Sequence, residues 1–386
     1  MIEEADNIRS AWDWGVLRAD SALMEQFLES FLYFFDIQGR YQECLDMTGR
    51  ALQALRAGDH TLKTPGYSRG LGRVLALQAA FQFRIGAFEL ARQGAEEALN
   101  LLEPFQPHRD VGHARLYLGA ALYGLGELDQ AVGWFLAAAA AYEEAGHAWG
   151  VGATLDNAGY LEFLRGNLAA AEIHSKRALA IAQQTGSRYL LTGVYDHMAT
   201  LMAAQRRFDE AMVYVERCRK VLDELDRPYI VASLSLSLGQ IAAQAGEWVS
   251  AEEHMLRALG LARTTGNRLD IVKALIQLGQ ARVARNHLAA AQDALREAAV
   301  LGREIHAEGL LVDVVAGLAD LACAAGRRSE AVELYQFAHD HSAASQETRD
   351  RAGHRLHELR VPLSAIPVGV DRPSLNAVLE LGLARP

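Results

Sequence analysis

The sequence predicts an all-α protein, a right-handed α-solenoid of about eight helical hairpins with a 40-residue period. Three sets of small residues predict this fold, and each set recurs at that spacing. The first set holds a small or turn-favouring residue followed five positions later by alanine; we call these the leading positions: Gly86, Gly126, Gly166, Arg206, Gly246, Asn286 and Gly326. Because such a unit cannot bury its own apolar face, it must stack on its neighbours.

The other two sets flank the leading positions. Twelve residues after each one stands an alanine or, once, Cys218, and seven residues before it stands Ala79, Gly119, Gly159, Ala199, Gly239, Gly279 or Ala319. Small residues at these offsets let two antiparallel helices approach closely and let each hairpin nest on the next. Each unit is therefore read as helix A, a tight turn at the leading position, helix B, and a second turn at Gly146, Gly186, Asp226 with Pro228, or Gly266.

The two ends of the chain depart from this pattern. Residues 1–20 read as a capping or linker helix with Ile8, Trp12 and Leu17 on one side, and residues 21–343 form the array. Residues 344–386 read as C-terminal capping helices, from 346 to 359 and from 374 to 381, joined by a segment with Pro362, Pro367 and Pro373. Terminal units of solenoids are atypical because one face must meet water, so we expect both ends to act as caps.

The three offsets resemble those of the tetratricopeptide repeat (TPR). The resemblance covers roughly residues 67–343, and an earlier unit around Gly39, Cys44 and Ala51 extends it towards the N-terminus. A conventional unit has about 34 residues, so a 40-residue period implies longer helices of about 16 to 18 residues each.

A second resemblance lies in the first helix. The segment from Glu4 to Trp14, EADNIRSAWDW, resembles the segment that leads into the TPR region of bacterial STAND signalling ATPases of the maltose-regulon activator and antibiotic-regulator types. The resemblance implies that the chain is the sensor region of a larger signal-transduction regulator, one of transcription, with an N-terminal nucleotide-binding domain. It also implies that an inducer bound to the array relieves inhibition of the nucleotide switch. No phosphate-loop motif occurs in these 386 residues, so that switch would lie outside this chain.

Composition argues against several other functions. The chain has 48 acidic and 38 basic residues and no cluster of cations, so we expect no direct nucleic-acid partner. The first twenty residues lack a secretory signal, and the longest apolar run, from Ala131 to Tyr142, is too short to cross a bilayer. We therefore expect a cytoplasmic protein with no membrane partner.

No catalytic signature is present, which predicts a non-enzymatic protein without cofactors. No nucleophile motif and no pair of cysteines at metal-ligand spacing occurs, and the histidine pairs His339 with His341 and His354 with His357 read as solvated surface residues rather than a metal site.

The candidate site is the concave groove, which the A helices line in TPR arrays. The groove-facing positions vary from unit to unit while the packing positions stay small. Aromatic residues among them, predicted to form a floor, are Phe83, Tyr123, Tyr160 and Phe163. Polar residues predicted to give directional hydrogen bonds are Arg84, Asp156, Asn157, Asp196 and His197, with Gln240 further along the groove. Aromatic area combined with a few polar groups suits an inducer that is a small molecule, a peptide or a protein segment.

Two alternatives stay open. The aromatic residues could instead fill gaps between adjacent A helices, with the polar residues simply solvated. The chain could also be a free-standing adaptor that holds two proteins together without any nucleotide switch.

Overall fold

The computed structural model describes residues 5–57, 65–105, 109–222, 228–359 and 374–383, and within these ranges it contains nineteen α-helices. The chain begins with α1 (Ala5–Leu17). Eight helical hairpins follow, each with an A helix and a B helix: α2 (Ser21–Gln38) with α3 (Tyr41–Ala57), α4 (Pro65–Arg84) with α5 (Phe88–Leu102), α6 (Arg109–Gly124) with α7 (Leu128–Glu144), α8 (Ala148–Leu164) with α9 (Leu168–Thr185), α10 (Arg188–Ala204) with α11 (Phe208–Leu222), α12 (Pro228–Gln244) with α13 (Trp248–Thr265), α14 (Arg268–Ala284) with α15 (Leu288–Glu304), and α16 (Glu308–Ala324) with α17 (Arg328–Asp340).

Two further helices, α18 (Gln346–Glu358) and α19 (Leu375–Leu383), close the array. The predicted helices at both ends are therefore present, within one or two residues at their ends. The proline-containing segment predicted between the last two helices lies outside the described residues, as does the predicted turn at Asp226.

The leading positions are the A-to-B turns, and their backbone explains their residue type. All seven have positive φ, from 58° at Arg206 to 85° at Gly126, as does Gly39 in the first hairpin. A left-handed residue ends helix A and redirects the chain, and glycine adopts this conformation without steric cost. Gly146, Gly186 and Gly266 end B helices in the same way, and His306, which the sequence analysis did not single out, does so before α16.

The small residues are the contacts between paired helices. The alanines five positions after each leading position are at most 1% exposed, as are Cys218 and the alanines in its set. A β-carbon on Gly239 would lie 2.0 Å from Met255 Cε, and one on Gly279 would lie 2.8 Å from Leu295 Cγ. These positions therefore set how closely helix A approaches helix B, as the spacing predicted.

The first helix packs on the first hairpin, with Trp12 as its largest buried side chain among those described. Gly15 is also buried, Arg9 pairs with Glu43 and Asp13 with Arg50, and the side chain of Ile8 lies outside the described residues. Trp12 is fully buried, and its indole Nε1 donates a hydrogen bond to the Met47 carbonyl at 3.3 Å. Leu17 is 85% exposed, so the expectation that it lies on the buried side was wrong. The reason is local: α1 ends at Leu17, and the turn at Ala19, with φ 50°, directs the chain into α2 before Leu17 can be covered.

The solenoid curves so strongly that its first hairpins contact its last ones. We call these two parts of the array the first and the second coil. A β-carbon on Gly86 would lie 2.5 Å from Ile305 Cγ2, one on Gly126 would lie 3.3 Å from the Gly309 amide nitrogen, and one on Gly166 would lie 2.6 Å from Gln346 Cγ. Each contact joins a turn in the first half of the array to a segment more than four repeats later. We call this line of contacts the seam.

Candidate functional site

A channel runs inside the superhelix, and A helices from both coils line it. It widens into two cavities. The N-terminal chamber, of about 330 Å³, lies mainly against α4, α6, α8, α10, α12 and α14. The C-terminal chamber, of about 600 Å³, lies against α12, α14, α16 and α18 as well as α6 and α8. Several residues line both chambers and so form the boundary between them: Tyr123, Tyr160, Gln240, Leu269, Lys273 and Gln277.

All ten residues predicted for the groove line this channel. Phe163 lines the C-terminal chamber, Tyr123, Tyr160 and Gln240 line both, and the other six line the N-terminal chamber: Phe83, Arg84, Asp156, Asn157, Asp196 and His197. The A helices bring them together because the groove-facing positions recur on successive A helices, which pack side by side.

Part of the predicted aromatic floor is continuous. The rings of Tyr123 and Tyr160 meet edge to face with centroids 6.2 Å apart, and Tyr160 and Phe163 are also 6.2 Å apart. Phe83 packs against Phe88 at 5.7 Å. Phe83 thus contacts α5, the B helix of its own hairpin, while it also contributes to the chamber wall.

The predicted polar residues form a buried cluster next to this floor. Asp156 Oδ1 and His197 Nδ1 are 3.0 Å apart, and the His197 ring stacks on Tyr160 with centroids 4.6 Å apart. Although burial opposes its charge, the carboxylate of Asp156 holds the pKa of His197 above its ordinary value. Asp196 accepts a hydrogen bond from Ser233 Oγ at 2.8 Å, and burial raises the pKa of its carboxyl group.

A cation that was not among the predicted residues stands at the boundary between the chambers. Lys273 of α14 places its Nζ 5.3 Å from the ring centre of Tyr123 and 5.5 Å from that of Tyr160. Burial opposes its charge, but Tyr123, Tyr160 and Asp270 outweigh it and hold the pKa of Lys273 well above its ordinary value. A protonated ammonium over two aromatic faces is a favourable arrangement that joins one coil to the next.

Lys273 could have been found from one further set of positions, thirteen residues before each leading position. That set holds residues of every polarity: Arg73, His113, Ala153, Gly193, Ser233, Lys273 and Asp313. Five of these residues line at least one of the two chambers: Ala153, Gly193, Ser233, Lys273 and Asp313. Trp149 and Tyr189, which occupy equivalent positions near the start of their A helices, also line the N-terminal chamber with ring centres 6.4 Å apart.

The C-terminal chamber carries its own polar groups, supplied partly by the cap. Thr348 Oγ1 of α18 donates a hydrogen bond to Asp313 Oδ1 of α16, and Gln240 Nε2 of α12 donates to Glu347 Oε2 of α18 at 3.4 Å. Burial raises the pKa of Asp313 to about 6 and raises that of Glu347. The cap helix therefore completes the wall of this chamber.

None of the helices in the described ranges is both long enough and apolar enough to be a candidate membrane span. Across those same ranges, histidine, cysteine and acidic side chains do not gather in groups of three that could hold a metal ion.

Comparison with known proteins agrees with the repeat architecture. The family model of the MalT-like TPR region matches residues 72–282, which is more than half of the chain. No curated protein matches the sequence significantly.

Solved structures show the same fold at low sequence identity. The Rap conjugation gene regulator of the plasmid pLS20, in complex with the Phr* peptide, superposes with a TM-score of 0.58 at 12% identity, over 92% of this chain and 95% of that one. A Rap protein complexed with competence and sporulation factor gives 0.57 at 11% identity, over 93% and 98%. The APC/C hetero-tetramer Cut9–Hcn1 gives 0.54 at 16% identity, over 92% and 60%.

Arrays of this kind are in general binding scaffolds that present an extended concave surface to a ligand or a protein. The leading positions, the small-residue contacts and the family match together place the chain in the family of MalT-like TPR regions.

Proposed function

We propose that this chain is the sensor region of a STAND-type signal-transduction regulator, one that controls transcription, and that it binds an inducer inside the channel. The observation that carries the proposal is the contrast between two kinds of position. Residues that pack helix on helix stay small in every unit, whereas the residues that line the channel differ from unit to unit and combine aromatic with charged groups. Such walls suit recognition of one particular ligand.

Two structural relatives support a bound ligand. One is a complex with the Phr* peptide and the other a complex with competence and sporulation factor, and both superpose over more than nine-tenths of this chain. The match to the MalT-like TPR region supports the assignment to a STAND-type regulator. In such a regulator an N-terminal nucleotide-binding domain would provide the switch.

The seam offers a way for the ligand to act. A ligand at the chamber boundary would touch Tyr123 and Tyr160 on one coil and Lys273 on the next. A ligand shifts a conformational equilibrium only by its difference in affinity for the two states. A ligand that contacts both coils would bind more tightly when the coils are close together than when they are apart, because only the close state allows both sets of contacts.

The test is ligand binding by wild-type protein and by two tyrosine variants. Small metabolites and short peptides are screened by thermal shift, and hits are measured by calorimetry. A channel ligand should bind wild type and Tyr214→Ala, since Tyr214 lies on B helix α11 and lines neither chamber, but should bind Tyr160→Ala at least tenfold more weakly. Equal affinity for all three proteins would place the ligand elsewhere and remove the proposal.

The free-standing adaptor is the competing function. The reading frame upstream of Met1 separates the two: a phosphate loop and winged helix in frame support the sensor, and an upstream stop codon supports the adaptor.

A further inference from the structure

The N-terminal chamber contains a buried carboxylate that is only half satisfied. Asp196 is 5% exposed, and one of its oxygens, Oδ2, accepts the hydrogen bond from Ser233. Its other oxygen, Oδ1, is buried and forms no hydrogen bond of good geometry in the protein, although the Ser237 hydroxyl lies close enough to the carboxyl group to lower its pKa. An ionised carboxylate only accepts hydrogen bonds, and leaving a buried acceptor unpaired costs about 1–3 kcal/mol, more when it is charged. The chamber therefore offers an acceptor without a well-placed donor.

The neighbouring charges are already engaged with other groups. Asp156 lies 3.0 Å from His197. Asp270 accepts a hydrogen bond from Asn267 Nδ2 at 2.7 Å. Lys273 lies over the two tyrosine rings at the chamber boundary. Asp270 is the carboxylate that helps to raise the pKa of Lys273.

Asp196 is thus the carboxylate of this cluster without a dedicated cation. The positive group that affects it most is His197, which it shares with Asp156, and Asp156 itself opposes its ionisation. Burial raises the pKa of Asp196, so a cation brought in by a ligand would favour the ionised carboxylate and supply the charge partner that it lacks.

Aromatic rings line the same chamber. Trp149 and Tyr189 have ring centres 6.4 Å apart, and Tyr160, further along the helix that carries Trp149, stacks on the His197 ring. Aromatic faces stabilise a desolvated cation by about 2 kcal/mol. A carboxylate oxygen in need of a donor, set among aromatic faces, matches a positively charged N–H group better than a neutral hydroxyl.

We propose that the ligand of this chain carries a protonated primary amine or a guanidinium group, which donates a hydrogen bond to Asp196 Oδ1 while its carbon atoms lie against Trp149 and Tyr189. The inference rests on the proposed function and adds the chemical class of the ligand. A quaternary ammonium is excluded because it has no N–H group, and a neutral donor leaves the buried charge without a counter-ion. The cation belongs either to a free small amine or to a residue of a peptide.

The first experiment compares matched probes by calorimetry. Benzylguanidine and benzylamine are cations with an aromatic group, and benzylurea and benzyl alcohol are their neutral counterparts. We expect the cations to bind wild-type protein at least tenfold more tightly than the neutral probes. Equal binding of charged and neutral probes, or no binding of either cation at 10 mM, overturns the inference.

Substitution of the anchor provides the second measurement. Asp196→Asn keeps the shape of the side chain and still accepts from Ser233, and it removes the charge. The cations should bind this variant at least tenfold more weakly, whereas the exposed control Asp209→Asn should bind them like wild type. Circular dichroism melting checks that both variants are folded. Unchanged affinity in Asp196→Asn contradicts the assignment of the anchor.

Two peptides separate the possible sources of the cation. A pentapeptide with blocked termini and a central arginine is compared with the same peptide carrying citrulline. Tighter binding of the arginine peptide than of benzylguanidine indicates a peptide ligand, and the reverse order indicates a free amine. If a ligand from the screen depends on Tyr160 but not on Asp196, the cation inference fails while the proposed function stands.

Discussion

At the scale of single residues, burial of acidic groups in the channel sets how stability depends on pH. Asp313 faces the C-terminal chamber, accepts a hydrogen bond from Thr348, and lies near Arg351, Glu347 and Lys273. Burial outweighs the favourable neighbours and raises its pKa to about 6. The folded protein therefore binds the Asp313 proton more tightly than the unfolded chain does, and the charged form is the destabilising one.

Asp313→Asn is expected to stabilise the protein at neutral pH. A carboxyl group whose folded pKa is raised contributes stability at low pH and loses it as the pH rises from about 4 through 6. Asparagine has no charge to bury, so the variant should gain on the order of 2 kcal/mol above pH 6 and nothing near pH 4. Urea unfolding at several pH values measures the difference.

The exposed carboxylate of Glu253 provides the control. Glu253→Gln should show no comparable pH-dependent gain, because its side chain lies in solvent on the outer face of α13. A gain from Asp313→Asn that is the same at pH 4 and pH 7 would show that the charge is not its source.

At the scale of the helical hairpin, the left-handed turn decides which residue type suits a leading position. Arg206 joins α10 to α11 with φ 58°, a conformation that disfavours any residue with a β-carbon. Its side chain is exposed. Five of the other leading positions have glycine, which adopts this φ without strain. At this hairpin the same turn is formed by an arginine, and its positive φ lowers the stability of the folded state.

Arg206→Gly should raise the free energy of unfolding by roughly 0.5–1 kcal/mol, because relief of the strained φ exceeds the entropy that glycine loses on folding. Arg206→Ala removes the same side chain but retains the β-carbon, so it should bring no such gain. Thermal and denaturant unfolding of both variants measures the difference. An equal effect of the two substitutions would show that the side chain, rather than the backbone, determines stability here.

Much of the hairpin could be predicted from the sequence, and particular residues show why. A left-handed turn favours glycine, and a close helix contact admits only a small residue. The residue types of Gly86 and Ala91 were therefore enough to predict a turn at the first and a helix contact at the second. The groove positions could be predicted because, once the small packing positions of each A helix were assigned, the remaining variable positions had to face the groove. Lys273 was missed because its partners Tyr123 and Tyr160 lie on another coil, and the curvature that brings the coils together depends on small angles between hairpins that a 40-residue period does not encode.

At the scale of the whole molecule, the seam gives some turns a second role. Gly86 and Gly246 both have φ +81°, but only Gly86 faces another coil, where Ile305 is 1% exposed. A β-carbon on Gly246 would meet no atom within 4 Å. The two glycines form a natural matched pair for isolating the contact between coils.

Gly86→Ala should therefore destabilise the protein more than Gly246→Ala does. Both variants bear the cost of a β-carbon at positive φ, about 1 kcal/mol, and Gly86→Ala adds an overpacking cost against Ile305 of about 1–3 kcal/mol. Denaturant unfolding gives the difference, and small-angle scattering should show a larger radius of gyration for Gly86→Ala alone. Equal stability and equal size of the two variants would mean that the coils do not press on each other in solution.

The seam also bears on how fast the channel can exchange its contents. Contact between the coils closes part of the channel wall, so a ligand of the proposed kind that is too wide for the remaining openings would enter only while the coils stand apart. Its association rate is then limited by how often the coils separate, and its residence time by how long they stay together. Under the proposed function, such a sensor would keep its ligand bound for longer than its equilibrium affinity alone would suggest.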